Sequence, residues 1–303
     1  MDVAVRRPDA RAFGQDLMRG EHVVGGGGMN VATAPGLTWV GGDRSPEELD
    51  ETSRKILAAS SSGTSIFDPV LCELAYRWFC PPGGMILDPF AGGSVRGIVA
   101  SKLGRSYVGI DLSERQIAAN RVQADAICGD PMPVWHVGDS REIDRIASGV
   151  EADFVFSCPP YADLERYSDD PADLSTLAYD KFRTAYTEII AKACSLLKPD
   201  RFACFVVGDV RNKQGMYYGF PWHTVEAFQA AGLHLYNEAV LVTAIGSLPI
   251  RVGRQFTAGR KLGKTHQNVL VFVKGDPIKA TRAIGECDFG DINLAEGTHD
   301  ALA

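Results

Sequence analysis

The stretch MILDPFAGGSVRGIVASKLGRSYVGID, Met85 to Asp111, decides how the chain is read. Met85 to Asp88 is a short apolar run that ends in an acid. A Pro-Phe-Ala-Gly-Gly turn follows, then a helical stretch over Ser94 to Leu103, then a second short run, Ser106 to Asp111, again closed by an acid. Strand, helix, strand in that order predicts parallel strands joined by a crossover helix. The turn is neither Gly-x-Gly-x-x-Gly nor the Gly-Lys-Ser/Thr loop that cradles phosphates. Its glycines let a ligand come close to the backbone. Asp88, just before them, repels a phosphate, so a dinucleotide fits poorly. A ligand with an amino group and ribose hydroxyls fits better. Asp111 stands about 20 residues on, where an acid can accept hydrogen bonds from a ribose.

The alternation continues on both sides of this unit. Ser113 is placed to cap a helix over Glu114 to Ala126. Pro133 to Asp139 reads as a third strand and Asp153 to Cys158 as a fourth, followed by a long helix over Leu177 to Leu197. Arg201 to Asp209 reads as a fifth strand, with a helix near Trp222 to Ala231. His234 to Ala244 and Asn268 to Gly275 read as two further strands with no helix between them, hence a hairpin that adds one antiparallel strand. Near-continuous apolar strands fit a sheet covered on both faces. In such sheets ligands bind at the carboxyl ends of the strands, and here those ends carry acids or polar turns. Asp139 and Ser140, after the third strand, are placed to face an adenine.

The chain as a whole narrows the classes. It has 303 residues with 45% hydrophobic and 23% charged, ordinary for a globular protein. No apolar run approaches the roughly 20 residues of a membrane helix. MDVAVRRPDA has no signal-peptide core, so a cytosolic location is expected. The seven cysteines are scattered without a Cys-x-x-Cys pair, which speaks for a reducing compartment and against a zinc site; no metal is expected. Residues 1–35 are Gly-, Ala- and Arg-rich and read as a flexible arm, 36–275 as one domain, and 276–303 as an acidic, peripheral tail.

The fourth strand runs into Cys158-Pro159-Pro160-Tyr161. Two prolines hold a turn rigid, and a tyrosine offers a face for a base to stack on. DPFAGG followed by CPPY resembles the S-adenosylmethionine-dependent DNA methyltransferases that modify exocyclic amino groups. In that family an Asp-Pro-Phe-x-Gly-x-Gly segment binds the methionine part of the cofactor, an acid after the second strand holds the ribose, and an Asp/Asn/Ser-Pro-Pro-aromatic segment after the fourth strand holds the target base. All three occur here in that order. Gly63 to Phe79 resembles the family's cofactor-carboxylate motif, with Thr64 and Ser65 as the contacts, in the permuted arrangement that puts this motif first. The resemblance covers roughly 60–275 and extends to phage-encoded modification methylases. It implies a seven-stranded Rossmann-like class I methyltransferase fold, mostly parallel with one antiparallel strand. It also implies S-adenosylmethionine as cofactor, held by Asp88, Pro89, Phe90, Gly92, Asp111, Asp139 and Ser140. Cys158, Pro159, Pro160 and Tyr161 would hold a base flipped out of double-stranded DNA.

Cys158 departs from the pattern. Adenine N6 enzymes usually carry Asp or Asn there, and cytosine N4 enzymes often Ser. A thiol has the size of Ser but accepts hydrogen bonds weakly. Three readings stay open: a serine substitute, a nucleophile adding to a pyrimidine carbon 6, or a small residue without chemistry. Adenine and cytosine both stay open as targets. The family also has RNA-modifying relatives and can lose catalysis. Cys80-Pro81-Pro82-Gly83 repeats the first three residues without the strand before it or the aromatic after it, and reads as a turn.

The net charge of -7 suits a nucleic-acid enzyme poorly unless positive charge is local. Arg251 to Lys264 supplies it: Arg251, Arg254, Arg260, Lys261 and Lys264 without one acid, read as a loop between the last two strands that grips phosphates. Ala162 to Thr176 reads as a lid or base-contacting loop. Gln267 and Asn268 have side chains that can read adenine edges, but at a strand start their ordinary role is turn bonding; Trp222 and His223 read as structural.

Overall fold

The structure, a computed structural model, describes residues 67–161, 168, 170–243 and 248–287, with the side chains of 249–251 outside that description. The N-terminal arm, Thr64 and Ser65, most of the acidic loop after Tyr161 and the last residues of the tail lie outside the described residues.

Asp68 accepts from the amides of Val70 and Leu71 and caps α1, Pro69–Phe79, with Pro69 in the first turn where its missing amide costs nothing. The chain turns through Cys80 to Gly83, as read, into β1, Met85–Asp88. There follow α2, Val95–Lys102, β2, Ser106–Asp111, α3, Glu114–Ile127, and β3, Val134–Val137. Ser113 caps α3 through the Gln116 amide, as its type and place predict. A short 3-10 turn, Ser140–Glu142, leads into α4, Ile143–Ile146, and β4, Ala152–Ser157. Then come α5, Tyr179–Ser195, β5, Leu197–Val207, α6, Phe220–Ala230, β6, His234–Val242, α7, Leu248–Gly259, β7, His266–Lys274, and α8, Pro277–Ile284.

The strands form one sheet in the order β3-β2-β1-β4-β5-β7-β6. The first five are parallel, and β7 runs antiparallel to both of its neighbours. Alternate strand residues feed opposite layers. Leu87, Val155, Phe205 and Phe272 face the layer of α4, α5 and α6, while Ile86, Phe154, Phe156 and Val271 face that of α1, α2, α3 and α8. Burial on both faces explains why these strands read as continuous apolar runs.

Two expectations are corrected. β6 and β7 are not joined by a simple loop: α7 lies between them, so Arg251 and Arg254 stand on a helix, and only the stretch from Arg260 to Thr265 links it to β7. Gly253 and Gly259 weaken the helical signal of LPIRVGRQFTAG, but Leu248, Val252 and Phe256 recur at the i, i+4 spacing of one helix face. The stretch after Gly275 is also not wholly peripheral. Asp276 caps α8, and Ala280 and Ile284 are buried in the second layer.

Candidate active site

Strand order turns round between β1 and β4, the crevice where ligands bind in such sheets. Asp88 stands at its floor, fully buried. Its Oδ1 accepts from the Phe90 amide at 3.1 Å and from the Ser157 hydroxyl at 2.6 Å. Its Oδ2 accepts from Arg96 Nε at 2.6 Å and from the Tyr107 hydroxyl at 2.7 Å. Two donors on each oxygen use the carboxylate's acceptor capacity inside the protein. One side chain thus ties together the glycine turn, β2, α2 and the last residue before Cys158.

Arg96 is the counter-charge. Besides Asp88 it donates through Nη2 to the carbonyls of Phe90 at 2.5 Å and Ala91 at 2.8 Å, and it stacks over Phe67 at 4.8 Å. Burial by itself would lower its pKa, but the Asp88 carboxylate more than offsets that and holds it above its usual value. The arginine fork therefore fixes the backbone that a ligand would meet. Gly92 sits at φ +50, a left-handed conformation that glycine adopts without strain. Its amide donates to Asp111 Oδ2 at 2.9 Å, and its carbonyl accepts from the buried Asn120 at 2.7 Å. The Ser140 hydroxyl donates to the Pro89 carbonyl at 2.5 Å and braces the turn from β3.

Asp111 is half-buried, with one backbone donor on each oxygen: Gly92 on Oδ2 and Ser113 on Oδ1, the latter at 2.8 Å. Each oxygen keeps acceptor capacity for a further donor. Burial pushes its pKa up against the pull of those two amides. Asp139 caps the 3-10 turn and pairs with Arg141 at 2.6 Å. Phe90 packs on Tyr186 and Phe205, under the turn.

On the β4 side, Pro159 is buried while Cys158, Pro160 and Tyr161 are half-buried. The Cys158 thiol lies 3.5 Å from the Tyr161 hydroxyl. Gln267 Nε2 donates to that same hydroxyl at 2.8 Å. A Cβ built on Gly208 would lie 3.7 Å from the Tyr161 ring, which places the ring over the end of β5, edge-on to Phe220 at 6.0 Å. Because β7 runs antiparallel, its first residues reach the edge where β4 and β5 finish; Asn268 pairs with Val207. Gln267 is thus a tyrosine clamp, not the turn residue read from its place at a strand start. Gln267→Leu and Tyr161→Phe are each expected to cost about 1 kcal/mol of stability, and the double variant no more than the worse single one. Denaturant unfolding of the three variants checks this; full additivity would show that the bond contributes nothing.

The sequence reading does not single out Arg96, Tyr107, Ser157 or Asn120, and it gives Gln267 another role. Arg96 had a signal: one cation in the otherwise apolar stretch VRGIVAS, one helical turn past the glycines. The others are ordinary strand and helix residues whose partners lie far along the chain. Of the basic set, Arg254 and Arg260 are exposed, Lys261 and Lys264 half-buried, and the Arg251 side chain is outside the description.

A seven-stranded sheet with this order and an antiparallel seventh strand is the class I methyltransferase fold. Residues 54–121, which hold α1, the glycine turn and Asp111, match the family model of the N6/N4 methyltransferases, described as DNA methylase. The match falls on the part of the chain that carries DPFAGG; Cys158-Pro159-Pro160-Tyr161 lies outside it. Among solved structures, the chain is similar to the [4+2]-cyclase SpnF at 13% identity and TM-score 0.50, over 68% of this chain and 81% of that one. It also matches TrmN from Thermus thermophilus at 19% identity and TM-score 0.47, over 73% of this chain and 53% of that one. This chain therefore spans about half the length of TrmN. A TehB-like SAM-dependent methyltransferase from Corynebacterium glutamicum matches at 20% identity and TM-score 0.42, over 74% and 96%. That one of these is called a cyclase shows that the fold alone does not fix the chemistry.

The cofactor that the family implies is S-adenosylmethionine. The residues present fit it. The left-handed Gly92 and the open space above Gly93 leave backbone exposed to a ligand, and the Asp111 oxygens have acceptor capacity for two hydroxyls.

Proposed function

We propose that the protein transfers a methyl group from S-adenosylmethionine to the exocyclic amino group of adenine or cytosine in DNA, acting on a base flipped out of the duplex. The observation that carries this reading is the Asp88 bridge, which joins the glycine turn to Ser157, one residue before Cys-Pro-Pro-Tyr, through a single buried carboxylate. Cofactor and base would therefore meet at adjacent strand ends.

An exocyclic amine is a poor nucleophile, since its lone pair is delocalised into the ring. An acceptor on its protons lets the nitrogen rehybridise as the methyl arrives. We assign that acceptor to the Pro159 carbonyl, with the Cys158 thiol as a weaker second. Tyr161, clamped by Gln267, is the platform on which the base stacks. Asp111 holds the ribose, and Gly92 with its neighbours the methionine part. Asp88 supports the turn from below instead of touching the cofactor. Thr64 and Ser65 are assigned to the cofactor carboxylate, and Asp139 and Ser140 to the edge of the adenine site. When bound, S-adenosylmethionine supplies a methyl group made electrophilic by its sulfonium. The protein's share is alignment and exclusion of water. Arg254, Arg260, Lys261 and Lys264, with Arg251, would bind phosphates.

The test is transfer of labelled methyl from S-adenosylmethionine to unmethylated plasmid DNA, with total RNA as the rival acceptor. The reading expects label in DNA and expects Cys158→Ser to keep activity within about tenfold of wild type, whereas removal of a true nucleophile costs on the order of a millionfold. Loss of activity in a folded Cys158→Ser protein would favour pyrimidine carbon-5 chemistry. Label in RNA alone would move the substrate.

A further inference from the structure

Between β5 and β6 the chain makes a small hairpin that neither the cofactor site nor the base platform uses. Arg211 and Tyr217 form its bridge, and the Arg211 guanidinium lies 3.7 Å over the Tyr217 ring. Arg211 also donates to the Gly215 carbonyl at 2.8 Å. The large apolar side chains here face solvent: Met216 is 66% exposed, Tyr217 45% and Trp222 77%. Solvated faces do not ordinarily carry a tryptophan exposed to this degree within six residues of two other large apolar side chains.

Position and charge say what meets this surface. Asp209 Oδ1 accepts from the amides of Gly219 and Phe220, which pins the hairpin's return to the end of β5. Phe220 itself packs edge-on against Tyr161, and Trp222 follows two residues on, on the exposed side of α6. A Cβ on Gly215 would meet the Lys261 ammonium at 2.7 Å, so the link after α7 lies across the hairpin. A second cation-aromatic pair, Arg260 at 5.0 Å over Phe256, stands on the same segment. From Val210 to Lys264 the chain carries seven Lys and Arg against two Glu, within a protein of net charge -7. Aromatic faces interleaved with cations, beside a base pocket, match a nucleic acid chemically: rings for bases, cations for phosphates.

Resting on the proposed function, we infer that the strip from Arg211 to Trp222 is the surface on which duplex DNA lies beside the flipped nucleotide, with Trp222 and Tyr217 stacking on bases unstacked by the flip. Lys213 and Lys261 hold the flanking phosphates.

The experiment measures the KM for unmethylated plasmid DNA and the salt dependence of its binding, for the full chain and four variants. Base-aromatic stacking is worth enough that Trp222→Ala is expected to raise the KM for DNA by about tenfold, and Tyr217→Ala by a similar factor. Trp222→Phe stays near wild type. The KM for S-adenosylmethionine and the thermal midpoint are unchanged in all of them, which a misfolded variant would not show. The double variant Lys213→Ala/Lys261→Ala lowers the salt slope by about two, while Trp222→Ala leaves it alone. DNA quenches the tryptophan fluorescence of wild type, and the quenching is lost in Trp222→Phe. Wild-type DNA kinetics in both Trp222→Ala and Tyr217→Ala would overturn the inference and leave the proposed function standing. A wild type that binds anionic phospholipid vesicles through Trp222 and not DNA would overturn it too. A wild type that neither binds nor methylates DNA would remove the proposed function and this inference together.

Discussion

Arg96→Met is expected to destabilise the protein by about 3–5 kcal/mol, because it leaves the Asp88 carboxylate charged, buried and without its counter-ion. For a domain of this size that is a drop in Tm of roughly 6–20 °C. The loss should exceed that of any exposed ion pair in the molecule. Arg183 with Glu226, for example, joins two solvated side chains whose pair is worth about 1 kcal/mol at most. Arg96→Lys should recover little, since a single ammonium cannot replace a fork that reaches Asp88 and the carbonyls of Phe90 and Ala91 together. Arg96→Met/Asp88→Asn should be more stable than Arg96→Met alone, because the unpaired charge is gone. Thermal unfolding of these variants checks the set. An Arg96→Met protein with wild-type Tm would show that the pair does not hold the turn.

Asp111→Ala is expected to weaken S-adenosylmethionine binding by about a hundredfold or more, while the fold survives. Hydrogen bonds to a charged group are worth roughly 1.5–3 kcal/mol each, and two ribose hydroxyls would lose their acceptor. The same substitution frees the Gly92 amide, which now donates to Asp111 at 2.9 Å, so the turn assigned to the cofactor loosens as well. Asp111→Asn keeps one acceptor oxygen and should fall between the two. Calorimetric titration with S-adenosylmethionine, alongside a thermal melt, separates binding from folding. Affinity within threefold of wild type in Asp111→Ala would place the ribose elsewhere.

The fold was legible because its signals are local. A four-residue apolar strand, an acid, two glycines and a helical stretch stand side by side in Met85 to Leu103, and the strands beside them are long apolar runs. The helix over Leu248–Gly259 was not, since two glycines and a proline obscure its period and its exposed face carries no acid-base pattern. Motif residues in the site were legible for the same reason. Their supports were not: Ser157 reaches Asp88 across 69 positions and Gln267 reaches Tyr161 across 106. Only the register of β4 beside β1, and of β7 beside β5, brings them together. Nor could the sequence show that Asp88 spends its carboxylate on the protein, because its four donors come from four different elements. Trp222 read as an ordinary helix-start residue, and only its exposure sets it apart.

The most direct test of the central claim is mass spectrometry of nucleosides digested from the DNA of cells that express the protein, compared with empty vector and with Tyr161→Ala. The account predicts a new N4-methylcytosine or N6-methyladenine peak that the Tyr161 variant loses. A 5-methylcytosine peak, or no new base at all, would contradict it.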